Sequence, residues 1–99
     1  MDFEFYRNFI TVAETGNLTT ASKKLALAQP ALSAQIKTLE HYYGAKLIQT
    51  ARGKRQLTLT EAGEAFLGKA RQICRTEETI LLDMQSFNKK ASGTLRFSV

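Results

Sequence analysis

The feature that most constrains the fold is a helix whose beginning and end are both marked in residues 28–44, AQPALSAQIKTLEHYYG. Pro30 suits the first turn of a helix, where its missing N–H is not needed, and Gly44 suits the residue that ends one. Residues four, three and four apart form the apolar stripe of this helix: Leu32, Ile36, Leu39 and Tyr43. The sequence therefore predicts an amphipathic helix over residues 29–43.

Two further helices precede this one. Apolar residues at three-and-four spacing predict a helix over residues 2–15, which Gly16 ends. Asn17 can cap a short second helix, LTTASKKLA, whose apolar positions recur at i, i+3 and i+7. The connection to the third helix, LALA, is short, as is typical of the turn between two crossed helices. Residues 2–43 therefore predict three helices, with a helix-turn-helix formed by the second and third.

After Gly44 the apolar period changes from helical to two. The runs KLIQT and QLTLT predict two short strands, and ARGKR between them predicts a hairpin tip with Gly53 at the turn. From Thr60 to Asn88 the chain has no proline and keeps one apolar stripe, which predicts a helix of roughly 29 residues and about 43 Å. KKASG then resembles a linker, and TLRFSV the start of a strand.

Charge is concentrated in the middle of the chain. The formal net charge is +5, yet between Leu18 and Leu59 seven bases face the single acid Glu40. These bases are Lys23, Lys24, Lys37, Lys46, Arg52, Lys54 and Arg55. A basic block of this kind suits a polyanionic partner, and a merely solvated basic surface is the alternative reading.

Together these elements predict a mainly α fold, a winged helix-turn-helix of three helices and a two-stranded wing followed by a long dimerisation helix. We expect a DNA-binding domain over residues 1–59, a linker and dimerisation helix over 60–88, and a hinge with one strand over 89–99. In a helix-turn-helix the later of the two helices, here the third helix over residues 29–43, enters the major groove by its N-terminal residues.

The start of the third helix has short side chains and no carboxylate, so its backbone can approach base edges. The candidate DNA contacts are Thr19, Gln29, Pro30, Ser33, Ala34, Lys37, Arg52, Lys54 and Arg55. Gln29 can pair bidentately with adenine, and Pro30 and Ala34 can touch a thymine methyl. Lys37 would reach the phosphates, and the cations of the hairpin tip suit the minor groove or flanking phosphates.

The long helix outruns a three-helix head, so part of its stripe needs a partner chain. The predicted dimer interface contains Phe66, Ala70, Ile73, Glu77, Ile80, Met84 and Phe87. Glu77 interrupts the stripe, and we expect it to meet Arg71 or Arg75 across the dimer and to fix an antiparallel register.

The pattern QPALS-x-QI-x-x-LE-x-x-x-G, followed by LT-x-AG after a basic turn, resembles the N-terminal domain of LysR-type transcriptional regulators. The resemblance runs from about Phe3 through Phe66 and continues down the long helix. It implies a winged helix-turn-helix, an antiparallel pair of linker helices, partly palindromic A·T-rich sites and a tetramer in the intact regulator. It also implies a C-terminal domain that binds a small-molecule effector, so we expect this chain to be a fragment that lacks that domain.

Two positions depart from the family pattern. Ala28 stands where the family usually has Ser, which removes a helix-capping oxygen worth about 0.5–2 kcal/mol. Ala34 stands where Arg or Lys is frequent, so sequence discrimination should depend more on Gln29, Ser33 and the basic wing.

Other classes of function fit the sequence poorly. One His and one Cys cannot form a metal set, and we expect no catalytic constellation, no cofactor and no metal. Lone Cys74, no membrane-spanning run and no signal-peptide pattern predict a cytoplasmic protein, and the family resemblance implies a bacterial one. A homo-oligomerisation module with an incidentally basic head remains the alternative, and RNA binding is disfavoured because the aromatic residues fall mainly on buried stripes.

Overall fold

A computed structural model describes residues 2–50 and 56–90, for residues 89 and 90 the backbone only. The elements are the helices α1 (Phe3–Thr15), α2 (Leu18–Leu25) and α3 (Gln29–Tyr43), the strands β1 (Ile48–Thr50) and β2 (Leu57–Leu59), and the helix α4 (Glu61–Lys90). Their order and type confirm the predicted winged helix-turn-helix with a long final helix. The chain measures 61 × 26 × 19 Å, because α4 projects from a compact head that α1, α2, α3 and the two strands form.

The helix ends follow the chemistry that the sequence predicts. Gly16 and Gly44 end α1 and α3 with φ of 68° and 69°, the left-handed region that costs glycine no steric strain. The Asn17 side chain accepts a hydrogen bond of 2.9 Å from the backbone N–H of Thr20, and so caps α2. The Thr60 hydroxyl accepts a 2.9 Å bond from the N–H of Gly63 at the start of α4. Local capping rules therefore fix most of the boundaries.

The end of α2 is the exception. The predicted helix includes Ala26, whereas α2 ends at Leu25 and Ala26 takes a left-handed conformation with φ 56°. This conformation lets the N–H of Leu27 bond to the carbonyl oxygen of Ser22 at 2.9 Å. An L-residue other than glycine pays about 1–2 kcal/mol there, so alanine gave no sequence signal for the stop.

The core of the head is formed by the apolar stripes of three helices and by the inner side chains of the hairpin. Its buried members are Phe9, Val12, Ala21, Leu32, Ile36, Leu39, Leu47 and Leu57. The predicted stripe of α3 is thus buried except for Tyr43, which is 44% exposed. The polar face of α3 is consequently turned outward.

The first turns of α4 pack against the head, and they include Phe66 and Ala70, two residues of the predicted dimer interface. Ala70 is 0% exposed in the single chain, and the Phe66 ring packs edge-on against Phe9 with ring centroids 5.0 Å apart. Phe66 also stacks on Tyr6 at 5.9 Å. Ala70 therefore has no exposed surface in the single chain, whereas Phe66 is half-buried and keeps part of its surface.

The two strands pair antiparallel, with Ile48 opposite Leu59 and Thr50 opposite Leu57. Both strands are shorter than the predicted runs KLIQT and QLTLT, because Lys46, Leu47 and Thr60 form hydrogen bonds outside the strand ladder. The predicted hairpin turn at Gly53 and the predicted strand at residues 94–99 lie outside the described residues.

The start of α4 is held against the hairpin at very short range. The Thr60 N–H donates to the Leu47 carbonyl oxygen at 3.0 Å, and the Thr60 hydroxyl donates to that of Lys46 at 2.5 Å. A Cβ added to Gly63 would stand 2.0 Å from the Leu47 oxygen. The LT-x-AG pattern therefore has a physical basis, since its threonine caps α4 and its glycine admits the strand.

Candidate nucleic-acid interface

The first turns of α3 form the outward face of the helix-turn-helix. Gln29, Pro30, Ala34 and Lys37 are exposed, and Ser33 is half-buried. Ala28 precedes the helix in an extended conformation, and the first turn carries no acidic side chain. Leu32 and Ile36 hold the opposite side of the helix in the core, so this face stays open to a large ligand. We call residues 29–34 the α3 tip.

One groove runs from the α3 tip toward the start of α2 and the hairpin. It encloses about 440 Å³ and is lined by Asn17, Leu18, Thr19, Thr20, Lys23, Gln29, Thr50 and Leu57. The predicted contacts Thr19 and Gln29 meet here, with the Thr19 hydroxyl donating to the Gln29 Oε1 at 3.2 Å. The structure therefore brings together two residues that are ten positions apart in sequence.

A second groove separates α3 from β1. It encloses about 260 Å³, and its lining includes Ser33, Lys37 and Glu40 from α3 together with Lys46, Gln49 and Thr50. Two lysines thus flank a groove whose floor is formed by Ile36 and Ile48. Lys46, Gln49 and Thr50 were not among the predicted contacts, and only the net charge of the region pointed to Lys46.

The one acid of the basic block is used within the protein. The Glu40 carboxylate accepts hydrogen bonds from the backbone N–H groups of Leu47 and Ile48 at 2.9 and 3.3 Å. These bonds fix the hairpin to the recognition helix, and they turn the negative charge toward backbone donors. Sequence reasoning counted Glu40 as a charge and missed this role.

Two further contacts fix α3 and the hairpin to the head. The buried side chain of Asn8 donates from Nδ2 to the Oε1 of Gln35 on α3 at 2.7 Å. The Leu57 N–H donates to the carbonyl oxygen of Gly16 at 2.9 Å, which holds β2 to the turn between α1 and α2. Neither role has a local sequence signal, because each joins segments far apart in the chain.

Exposed lysines border both grooves, Lys23 the first and Lys37 and Lys46 the second. Lys23, Lys24, Lys37 and Lys46 are all exposed. The predicted contacts Arg52, Lys54 and Arg55 lie at the hairpin tip, outside the described residues. The grooves beside α3 are therefore bordered by cations on α2, α3 and the hairpin, an arrangement that attracts a polyanion.

The second half of α4 exposes an apolar face. Ile80, Met84 and Phe87 are 52%, 45% and 57% exposed, and Ile73 is half-buried. Ile73 and Ile80 line a shallow cleft of about 480 Å³ that reaches Phe3 at the start of α1. A continuous apolar surface on a projecting helix is typical of an interface with another chain.

Two ion pairs tie α4 to α1. The Arg7 guanidinium contacts the Glu77 carboxylate at 2.6 Å, and Arg71 contacts Glu14 at 3.2 Å. The hydrogen bond to Glu77 raises the pKa of Arg7 above its ordinary value. Within the single chain Glu77 thus pairs with Arg7, because α1 passes beside it, and the predicted contact with Arg71 or Arg75 across a dimer stays a prediction.

The remaining candidates for chemistry have structural explanations. Cys74 is buried, and this burial raises the pKa of its thiol, so the reactive thiolate is disfavoured. Within residues 2–50 and 56–90, no three His, Cys, Asp or Glu side chains gather into a possible metal site. None of the helices described here is both long and apolar enough to cross a membrane.

Comparison of the sequence with known families gives a match to "Bacterial regulatory helix-turn-helix protein, lysR family" over residues 3–64. The chain is 40% identical over 95 residues to the HTH-type transcriptional regulator BsdA of Bacillus subtilis (strain 168), covering 96% of this chain and 32% of that protein. It is 42% identical over 82 residues to the Hca operon transcriptional activator HcaR of Escherichia coli (strain K12), covering 83% and 27%.

Solved structures give the same architecture. The fold superposes on the BenM DBD in complex with catB site 1 DNA with a TM-score of 0.83 and 29% identity, covering 94% of this chain and 98% of that one. The CbnR DBD in complex with DNA gives a TM-score of 0.73 and 34% identity, covering 95% and 100%. The chain thus corresponds to nearly the whole of these domains but spans only about a third of the length of BsdA.

Proposed function

Since the chain belongs to the LysR family of bacterial regulatory helix-turn-helix proteins, we propose that it recognises a specific double-stranded DNA sequence as a dimer and regulates transcription. The family is one of DNA-binding regulators and not of enzymes. The observation that carries the proposal is the exposed, carboxylate-free α3 tip, bordered by lysines and backed by the core. The DNA complexes of the BenM and CbnR domains support the same partner.

The recognition helix α3 enters the major groove by its first turns. Gln29 and Ser33 supply hydrogen-bonding groups for base edges, and the short side chains of Pro30 and Ala34 allow close approach and contact with thymine methyl groups. Lys37 lies farther along the same exposed face and reaches the phosphates. Thr19, at the start of α2, lines the groove of the protein that also contains Gln29, and so faces the DNA.

The hairpin lies beside the adjacent minor groove. Glu40 sets its position relative to α3 through the backbone N–H groups of Leu47 and Ile48. Its tip residues Arg52, Lys54 and Arg55 supply cations to the narrow groove or to the flanking phosphates. Because Ala34 brings no cation to the major groove, this contribution from the hairpin matters more here.

The exposed apolar face of α4 pairs with the same face of a second chain. Ile73, Ile80, Met84 and Phe87 form the contact, with α4 of the partner running antiparallel. In the intact regulator, residues 89–99 lead into a further domain that binds a small-molecule effector, and a tetramer forms in the cytoplasm. Residues 1–59 then act as the DNA-binding domain and residues 60–88 as the linker.

Gln29→Ala tests the proposal directly. Selection of bound sequences from a random DNA pool, followed by footprinting, defines the site. On that site we expect Gln29→Ala to cost about 1–3 kcal/mol and to relax base preference at one position of each half-site, since a bidentate contact is lost.

Gln85→Ala is the matched control, because it removes the same side chain from an exposed position on the projecting half of α4, away from the head. It should leave the affinity and the preference unchanged. If the pool yields no preferred sequence, the chain acts instead as a homo-oligomerisation module with a basic head.

A further inference from the structure

Thr19, a predicted DNA contact, also forms a hydrogen bond within the protein. Its hydroxyl donates to the Oε1 of Gln29 across the helix-turn-helix turn, at 3.2 Å. Both side chains are exposed and line the same groove of about 440 Å³. The bond therefore lies on the surface that faces a ligand, where it restricts the side chain with the most rotamers at the α3 tip.

We propose that Thr19 is a positioning residue that fixes the amide of Gln29 with its NH₂ group toward the DNA, so that Gln29 reads the acceptor edge of a purine. This inference rests on the proposed function, since it assumes that Gln29 contacts a base. It makes the proposed function more specific, because an unpaired glutamine amide can present either its carbonyl oxygen or its NH₂ group to a base.

The chemistry follows from the hydrogen-bond inventory of the amide. The carbonyl oxygen of Gln29 accepts from Thr19 and keeps one lone pair, whereas both N–H donors of the nitrogen are unengaged. In the major groove these donors match the N7 atom of either purine and O6 of guanine, and they do not match the amino group of cytosine. Gln29 therefore acts first as a donor to purine N7.

The backbone keeps this pair in register. Thr19 lies in the first turn of α2, which Asn17 caps, and Gln29 is the first residue of α3. The left-handed Ala26 sets the turn between the two helices. Because both partners sit at fixed helix starts, the bond preorganises Gln29 before DNA arrives and lowers the entropy lost on binding.

The test compares Thr19→Val with Thr19→Ser on the selected site and on the site changed at the position that Gln29 reads. Thr19→Val removes the hydroxyl at nearly constant shape, so discrimination between the two sites should fall roughly 3- to 10-fold. Thr19→Ser restores the hydroxyl and should restore discrimination. Thr79→Val, which removes a threonine hydroxyl from an exposed position on the projecting part of α4, should leave discrimination unchanged.

A phosphate contact by Thr19 predicts something else. In that case Thr19→Val weakens both sites equally and the discrimination ratio stays constant, which overturns the positioning role. In the Gln29→Ala background, Thr19→Val should have no further effect on discrimination, and an undiminished effect there also overturns it. Circular dichroism of each variant checks that the fold is intact.

Replacement of the purine by its 7-deaza analogue tests the orientation of the amide. The analogue removes N7 as an acceptor, so it should weaken binding of the parent protein and leave Gln29→Ala unaffected. Equal affinity of the parent for both DNAs overturns the proposed orientation. If Gln29→Ala itself leaves discrimination unchanged, the proposed base reading by Gln29 fails, and this outcome is distinct from a failure confined to Thr19.

Discussion

At the scale of single residues, the two glycines within α4 have opposite requirements. Gly63 admits the hairpin, since a Cβ there would stand 2.0 Å from the Leu47 carbonyl oxygen. That oxygen also accepts the hydrogen bond from the Thr60 N–H, so moving it away from a methyl group would break this bond. Gly68 has no atom within 4 Å of its added Cβ. Sequence spacing alone does not distinguish the two positions.

We expect Gly63→Ala to lower the free energy of unfolding by about 1–3 kcal/mol, because the methyl group overlaps backbone and forces α4 away from the hairpin. Gly68→Ala should raise it by up to about 1 kcal/mol, since alanine favours a helix interior and the position is open. Urea denaturation followed by circular dichroism measures both. Equal effects of the two substitutions would contradict the close approach at Gly63.

At the scale of elements, α4 has two parts with different functions. Its first turns bury Phe66 and Ala70 against the head, and Arg7 and Arg71 extend the contact through ion pairs with Glu77 and Glu14. These pairs are partly exposed, so each contributes at most about 1 kcal/mol. Beyond Glu77 the apolar face has no partner among the described residues. The interface that we propose therefore lies nearer the C-terminal end of α4 than the sequence stripe implied.

Ile80→Glu tests that interface. It places a charge in the middle of the exposed apolar face, so the dimer should dissociate while the head stays folded. Leu82→Glu is the matched control, because Leu82 is 64% exposed and lies about 200° around the helix from Ile80, at ~100° per residue. Sedimentation of both variants distinguishes them, and a dimer that survives Ile80→Glu would move the contact elsewhere.

At the scale of the whole molecule, charge and shape are divided between the two ends. The head carries the exposed lysines of α2 and α3 together with Lys46, which precedes β1, and the projecting half of α4 carries the apolar face. Pairing through α4 would present two basic heads to one DNA duplex. Binding should therefore depend strongly on salt, because each neutralised phosphate releases counterions.

We expect Lys37→Ala to lower the slope of log K against log [salt] by about one unit for each head that binds DNA. The loss should be similar for specific and random DNA, since a phosphate contact carries no sequence information. Arg75→Ala removes an exposed cation on α4, away from the basic block, and should leave the slope unchanged. Titrations at several salt concentrations provide the measurement, and an unaltered slope for Lys37→Ala would remove it from the contacts.

The sequence by itself determined the elements and most of their ends. The helix-cap bonds of Gly16, Asn17, Gly44 and Thr60 join residues at most four positions apart, so this part of their role is predictable from the local sequence. The apolar stripe of α3 likewise predicted which face is buried. DNA binding as the class of function followed from the polar residues that remain on the exposed face of α3.

Only the tertiary structure decided which residues meet. The bonds of Glu40 to the hairpin, of Asn8 to Gln35 and of Thr19 to Gln29 join different elements, and no pattern within one element encodes them. The same holds for the stripe of α4, whose residues look alike along the helix. The part of the α4 stripe that contacts α1 is buried, and the part beyond that contact is exposed. The position of this boundary depends on how the whole head packs.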